Sequence, residues 1–89
     1  MDIRVLQYFL AVAREESITK AAESLRMTQP PLSRQLKDLE KELGKQLLVR
    51  GSKRVTLTED GMLLRKRAEE LIDLMEKTKA ELRSSHENI

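Results

Sequence analysis

The chain has 89 residues, 36% of them charged and 39% hydrophobic, enough for one small helix-rich domain with a modest core. It has no cysteine, which excludes a disulfide framework, a thiolate metal site and a thiol nucleophile. The net charge is only +2, so any affinity for a polyanion must come from where the charges sit.

The opening stretch MDIRVLQYFLAVAREE is interrupted by charges and lacks a small-residue cleavage site, so it does not read as a secretory signal. No apolar run approaches the length of a membrane span, and the expected location is the cytoplasm. A first helix is expected from about Asp2 to Glu15, with Ile3, Leu6, Phe9, Leu10 and Ala13 as its buried stripe. Phe9 lies on that stripe and reads as core. With Tyr8 it makes up the whole aromatic content, which leaves no exposed platform on which unpaired bases could stack. Among nucleic acids, duplex DNA is therefore favoured over RNA.

The segment Ile18–Leu43 reads as two short helices joined by a tight turn. In the first, Ile18, Ala21, Ala22 and Leu25 fall at i, i+3, i+4 and i+7, an apolar helical face. Ser17 can cap it. In the second, Leu32, Leu36, Leu39 and Leu43 share a stripe, and Pro30, Arg34, Lys37 and Lys41 point roughly the opposite way. Prolines are tolerated in a first turn, where N–H groups lack intrahelical partners. Were Thr28 the cap, its usual targets would be the N–H groups of Pro30 and Pro31, which do not exist, and its hydroxyl would be free for a phosphate. Were Gln29 the cap, Leu32 would still offer a donor. Residues 26–37 carry +3 and residues 38–42 carry −2, so the N-terminal half of this helix suits a polyanion, as does its dipole.

Gly44 suits the left-handed position after a helix. In Gln46–Thr58, the alternation at Val55–Thr58 and the turn signal Gly51-Ser52 predict a two-stranded hairpin, or wing. Residues 45–58 carry +4 with no acid, and the tip Arg50-Gly51-Ser52-Lys53-Arg54 is a short basic probe suited to phosphate or a narrow minor groove. Thr58 then caps a long helix, with Glu59 and Asp60 at its positive end. That helix is expected to run to about Arg83. Leu64, Ala68, Leu71, Met75, Thr78 and Leu82 are spaced 4, 3, 4, 3, 4, a heptad seam that predicts a dimer arm. Ser84–Ile89 reads as a polar tail, with His86 solvated. The organisation is thus a winged helix-turn-helix at 1–58, a linker and dimerisation helix at 59–85, and a tail at 86–89.

This order of elements, with AVAREESITKAAESLRMTQPPLSRQLKDLEKELGKQLLVR, resembles the N-terminal domain of LysR-type transcriptional regulators from Met1 to about Ser85. The joint spacing of Phe9, Ser17, Ala21-Ala22, Leu25, Gln29-Pro30, Ser33, Leu39-Glu40, Leu43-Gly44, Leu47-Leu48, Arg50 and Thr58–Gly61 carries the resemblance. It implies a mainly α fold: a bacterial winged helix-turn-helix of three helices and a two-stranded β wing, followed by the long linker helix. It implies a homodimer whose linker helices pair antiparallel, and binding to an interrupted inverted repeat with T and A at its ends. It places DNA contacts at Gln29, Pro30, Pro31, Ser33, Arg34, Arg50, Lys53 and Arg54. Members of the family carry a C-terminal effector-binding domain, and this chain ends before it. An inducer would act only through that domain.

The residue chemistry divides the expected roles. Arg34 can bond guanine O6 and N7 in bidentate fashion, Gln29 can pair with adenine, and Pro30 and Pro31 can meet a thymine methyl. Ser33, Lys37, Arg50 and Lys53 read as phosphate clamps that position without specifying. Thr28, Ser17 and Lys20 are further candidates, because the first helix of the motif crosses the backbone. A protein-binding winged helix is the rival; it predicts acids on the outer face of the third helix or a neutral wing. An enzyme has little support: there are no paired histidines and no glycine-rich phosphate loop, and no cofactor is expected.

Overall fold

A computed structural model describes residues 1–87, with side chains to residue 85. The elements are α1 (Ile3–Glu15), α2 (Ile18–Ser24), α3 (Gln29–Leu43), β1 (Leu48–Arg50), β2 (Val55–Leu57) and α4 (Glu59–Glu87). The reading of His86 falls on a side chain outside those described. The fold is the winged helix-turn-helix expected, with α4 running four residues past Arg83.

Helix α1 starts where the Asp2 carboxylate accepts the Arg4 N–H at 2.8 Å. It buries Val5, Leu6, Phe9, Ala11 and Val12, whereas Ile3, Leu10 and Ala13 of the expected stripe are only half-buried. A single stripe assumes one packing partner. Helix α1 instead touches α2, α3, α4 and β2, so more than one of its faces is covered. Phe9 and Val12 are fully enclosed, with Leu32, Leu36 and Leu48 around them in the same core. Truncating a ring so enclosed costs about 3–5 kcal/mol.

Ser17 caps α2 by accepting the Lys20 N–H at 3.1 Å. The small Ala21 and Ala22 are buried between helices, and Leu25 is half-buried at the C-cap. Helix α3 buries Leu32, Leu36 and Leu39, but Leu43 is 37% exposed because the chain turns away at Gly44. Gly44 is left-handed at φ 65, and the Lys45 N–H closes back onto the Glu40 carbonyl at 3.1 Å.

The wing is antiparallel, in the register Leu48↔Leu57, Val49↔Thr56 and Arg50↔Val55. Its turn is closed by the Gly51 N–H donating to the Arg54 carbonyl at 3.1 Å. One backbone bond joins the wing to α1 and another closes its base. The Val55 N–H donates to the Glu16 carbonyl at 3.0 Å, at the left-handed end of α1 (φ 54). The Leu47 carbonyl accepts the Thr58 N–H at 3.0 Å. Thr58 then caps α4, its hydroxyl donating to the Gln46 carbonyl at 2.6 Å and accepting the Gly61 N–H at 3.0 Å.

The first turns of α4 lie on the body. Ala68 is fully buried and Leu64 packs against the core, so the first two positions of the expected seam serve the chain's own interior. The heptad pattern could not distinguish these uses, since both need an apolar stripe. Beyond Ala68 the helix projects, and the long dimension of the molecule is 56 Å. Leu71, Leu74 and Leu82 are 42%, 61% and 63% exposed, Met75 is half-buried and Thr78 is exposed. The Thr78 hydroxyl donates to the Leu74 carbonyl at 2.7 Å, which satisfies it within the helix.

A side chain at residue 61 has no room. A Cβ there would overlap the Leu47 carbonyl and lie 3.2 Å from the Leu57 Cβ. Gly61→Ala is expected to destabilise the fold by about 1–3 kcal/mol, as overpacking against backbone does. Urea denaturation of the variant beside the wild type measures this, and equal midpoints would refute it.

Candidate nucleic-acid interface

The turn between α2 and α3 is held by a Schellman motif. The Met27 N–H donates to the Ala22 carbonyl at 3.0 Å, and the Arg26 N–H donates to the Glu23 carbonyl at 3.1 Å. Arg26 is left-handed at φ 56, a position that usually takes glycine. This tight closure packs α2 against α3 and sets the tip of α3 at the surface.

Thr28 is the N-cap of α3 and makes no capping bond, because Pro30 and Pro31 occupy the first turn. Its side chain is exposed. Gln29, the first helical residue, accepts from the Thr19 hydroxyl at 3.4 Å, a weak tether between the two helices. Pro30 and Arg34 are exposed, and Pro31 and Ser33 are half-buried. Lys37 follows Arg34 along the exposed face, and neither pairs with a carboxylate among the described residues. The structure therefore brings Pro30, Ser33, Arg34 and Lys37 together along one groove, with Thr28, Gln29 and Pro31 at the head of the same helix.

The wing residues divide. Lys53 stands exposed at the tip without a carboxylate partner among the described residues. Arg54 reaches Glu16 at 3.7 Å, a solvent-exposed pair of the kind worth little. Arg50 is two-thirds covered and lies 3.6 Å from Glu40. That carboxylate also accepts the N–H groups of Leu47 at 2.8 Å and Leu48 at 3.2 Å. Glu40 is thus a brace between α3 and the start of the wing, and Arg50 is its third partner.

Charge along α3 segregates only in part by face. Asp38 and Glu42 line the groove beside Met1 and Asp2, where the terminal ammonium reaches Glu42 at 2.7 Å. Lys37 and Lys41 border the neighbouring groove with Pro30, Ser33 and Arg34, and Asp38 stands between the two grooves and lines both. The sum of −2 over 38–42 is correct as arithmetic but does not describe the presented surface. Two features escaped the sequence reading, the Glu40 brace and the place of Lys45 beside Lys41.

Residues 3–62 match the family described as bacterial regulatory helix-turn-helix protein, lysR family. The chain belongs to the LysR family. It is 48% identical over 90 residues to the HTH-type transcriptional regulator BsdA of Bacillus subtilis (strain 168), covering all of this chain and 31% of that protein. It is 57% identical over 61 residues to the regulator BenM of Acinetobacter baylyi, covering 68% of this chain and 20% of that one. The chain thus spans less than a third of the length of these relatives. Among solved structures, the BenM DNA-binding domain with catB site 1 DNA superimposes at TM-score 0.90, with 44% identity, covering 94% of this chain and 93% of that one. The CbnR DNA-binding domain with DNA superimposes at TM-score 0.92, with 34% identity, covering 96% and 98%. No described helix is long and apolar enough to cross a membrane.

Removing the Glu40 carboxylate leaves two backbone donors without their acceptor. Glu40→Ala is expected to cost about 1–3 kcal/mol and to speed amide exchange at Leu47 and Leu48. Unchanged stability together with unchanged exchange at both amides would show that the brace is dispensable.

Proposed function

We propose that this chain is the sequence-reading DNA module of a LysR-type transcriptional regulator, working in the bacterial cytoplasm as a homodimer. The observation that carries the reading is the face of α3 from Thr28 to Lys37, which is polar and cationic, unpaired with any carboxylate among the described residues, and set at the surface by the helix-turn-helix turn. The solved DNA complexes of the BenM and CbnR domains support it. Of the acids on α3, Glu42 is turned toward Met1 and Glu40 is taken up by the Leu47 and Leu48 N–H groups, which leaves Asp38 as the one acid bordering the cationic groove, against Arg34, Lys37 and Lys41. A role in binding rather than catalysis agrees with relatives named as transcriptional regulators.

In this reading the first turns of α3 enter the major groove, as recognition helices do. Arg34 reads a guanine edge, Gln29 an adenine edge, and Pro30 and Pro31 offer apolar contact to a thymine methyl. Thr28, Ser33 and Lys37 hold phosphates. The wing follows the adjacent backbone through Lys53 and Arg54, with Arg50 held by Glu40 at its base. The projecting half of α4 pairs with a second copy through Leu71, Leu74, Met75, Thr78 and Leu82. The two copies then read an interrupted inverted repeat.

The two kinds of DNA contact separate by mutation. Arg34→Ala is expected to weaken binding to a selected operator by about 1–3 kcal/mol and to relax its sequence choice. Lys53→Ala is expected to weaken all sequences alike and to reduce the salt dependence by about one phosphate contact. Fluorescence anisotropy on the operator and on random duplex checks both, and equal losses on the two DNAs for Arg34→Ala would remove its base-reading role. The dimer is checked by sedimentation equilibrium. The wild type is expected as a dimer and the double variant Leu71→Glu, Leu74→Glu as a folded monomer. A monomeric wild type at the concentrations that bind an inverted repeat would overturn the α4 interface.

A further inference from the structure

We propose that Lys41 and Lys45, together with Lys37 and Arg50, form a second binding site for the phosphodiester backbone of duplex DNA, in the trough between α3 and the wing. The inference rests on the DNA-reading function and extends it to residues outside the family's contact pattern. The trough is lined by Lys37, Glu40, Lys41, Lys45, Gln46 and Arg50. Its four cations face one carboxylate, and Glu40 is already bound to the Leu47 and Leu48 N–H groups and to Arg50. Lys37, Lys41 and Lys45 make no ion pair among the described residues, and all three are exposed.

Continuity with the base-reading face favours DNA over another anion. The groove bounded by Pro30, Ser33, Arg34, Lys37, Asp38 and Lys41 shares Lys37 and Lys41 with the trough. Lys37 and Lys41 follow one another along the side of α3 that faces the wing, Lys45 stands just past its end, and Arg34 continues the line in the neighbouring groove. Lys37 and Lys41 are about 6 Å apart along the axis, at 1.5 Å per residue. A duplex seated with α3 in one groove and the wing in the next must pass a backbone strand between them, across this trough. Lysine suits the task, as a point charge that holds phosphate without reading bases.

The test is the salt dependence of binding by the double variant Lys41→Ala, Lys45→Ala. It is measured on the inverted repeat recovered by selection and on random duplex of equal length. Loss of two phosphate contacts is expected to make the slope of log K against log salt shallower by about 1.8, so that the affinity lost between 50 and 200 mM salt shrinks by about twelvefold. Both DNAs respond alike, and the pair Lys66→Ala, Lys79→Ala on exposed α4 leaves the slope at the wild-type value. Because both trough lysines are exposed, the variants fold, and Lys41→Gln, Lys45→Gln is expected to reproduce the effect. A wild-type slope in the trough variant overturns the site while leaving the DNA reading intact. Absence of duplex binding by the wild type at low salt overturns the DNA reading itself.

Discussion

The carboxylate of Glu40 is the interaction on which the geometry of the DNA-facing side depends. It sits on the recognition helix, yet its acceptors are filled by the N–H groups of Leu47 and Leu48, where the chain enters the wing. Helix and wing are separated in sequence by a left-handed Gly44 and a short connection, which alone would leave their relative angle loose. Two bonds to one rigid carboxylate remove that freedom. Because Leu48 is fully buried and packs in the same core as Leu32, Leu36 and Phe9, the brace and the core enforce the same arrangement. Arg50 adds the guanidinium that balances a carboxylate only 14% exposed. Removing one partner of such a cluster costs more than the cluster contributes in net stability, because the other groups stay desolvated.

The same connection also sets the direction of α4. The Leu47 carbonyl accepts the Thr58 N–H and faces the bare Cα of Gly61, while Thr58 ties Gln46 to the first turn of the long helix. Residues 46–48 therefore join the recognition helix, the wing and the linker helix within one short segment. A displacement of α4 can reach α3 through this segment and through α1, which touches both helices. Ala68 reinforces the junction, since a fully buried methyl lets α4 lie close on α1 before it projects.

Local signals made most of the fold legible in the chain. The caps at Ser17 and Thr58, the prolines at the start of α3, the left-handed Gly44 and the hairpin turn are all written in residues adjacent to the feature they produce. What was not legible depends on counting partners in space. Helix α1 carries apolar residues on more sides than a stripe allows, and only the presence of α2, α3, α4 and β2 around it explains Val5, Ala11 and Val12. Leu64 and Ala68 fit a coiled-coil heptad and an intramolecular packing face equally well, and the second use prevails for them. Leu74 lay outside the heptad register but is among the most exposed apolar side chains of α4. In the sequence Glu40 counted only toward the −2 of residues 38–42 and the family pattern, because its partners are seven and eight residues away, beyond any helical spacing.

The prolines at the head of α3 decide what kind of DNA contact its tip can make. A helix N-terminus ordinarily offers several free N–H groups, and with its dipole that makes an anion site. Here the first three helical residues are Gln29, Pro30 and Pro31, and only Gln29 retains an N–H. The dipole remains, but two of the donors that would deliver it to a phosphate are gone, replaced by pyrrolidine rings of which Pro30 is exposed. The tip is therefore poorer as a backbone-phosphate cradle and better as an apolar probe flanked by side chains. Thr28 follows from the same substitution: with no capping bond to make, its hydroxyl is available to a partner outside the helix. In the proposed reading, phosphate binding then falls to side chains set back from the tip, Ser33 and Lys37 on α3 and Lys53 on the wing. This division lets the leading turn of α3 approach base edges while charge placed behind it supplies the general affinity.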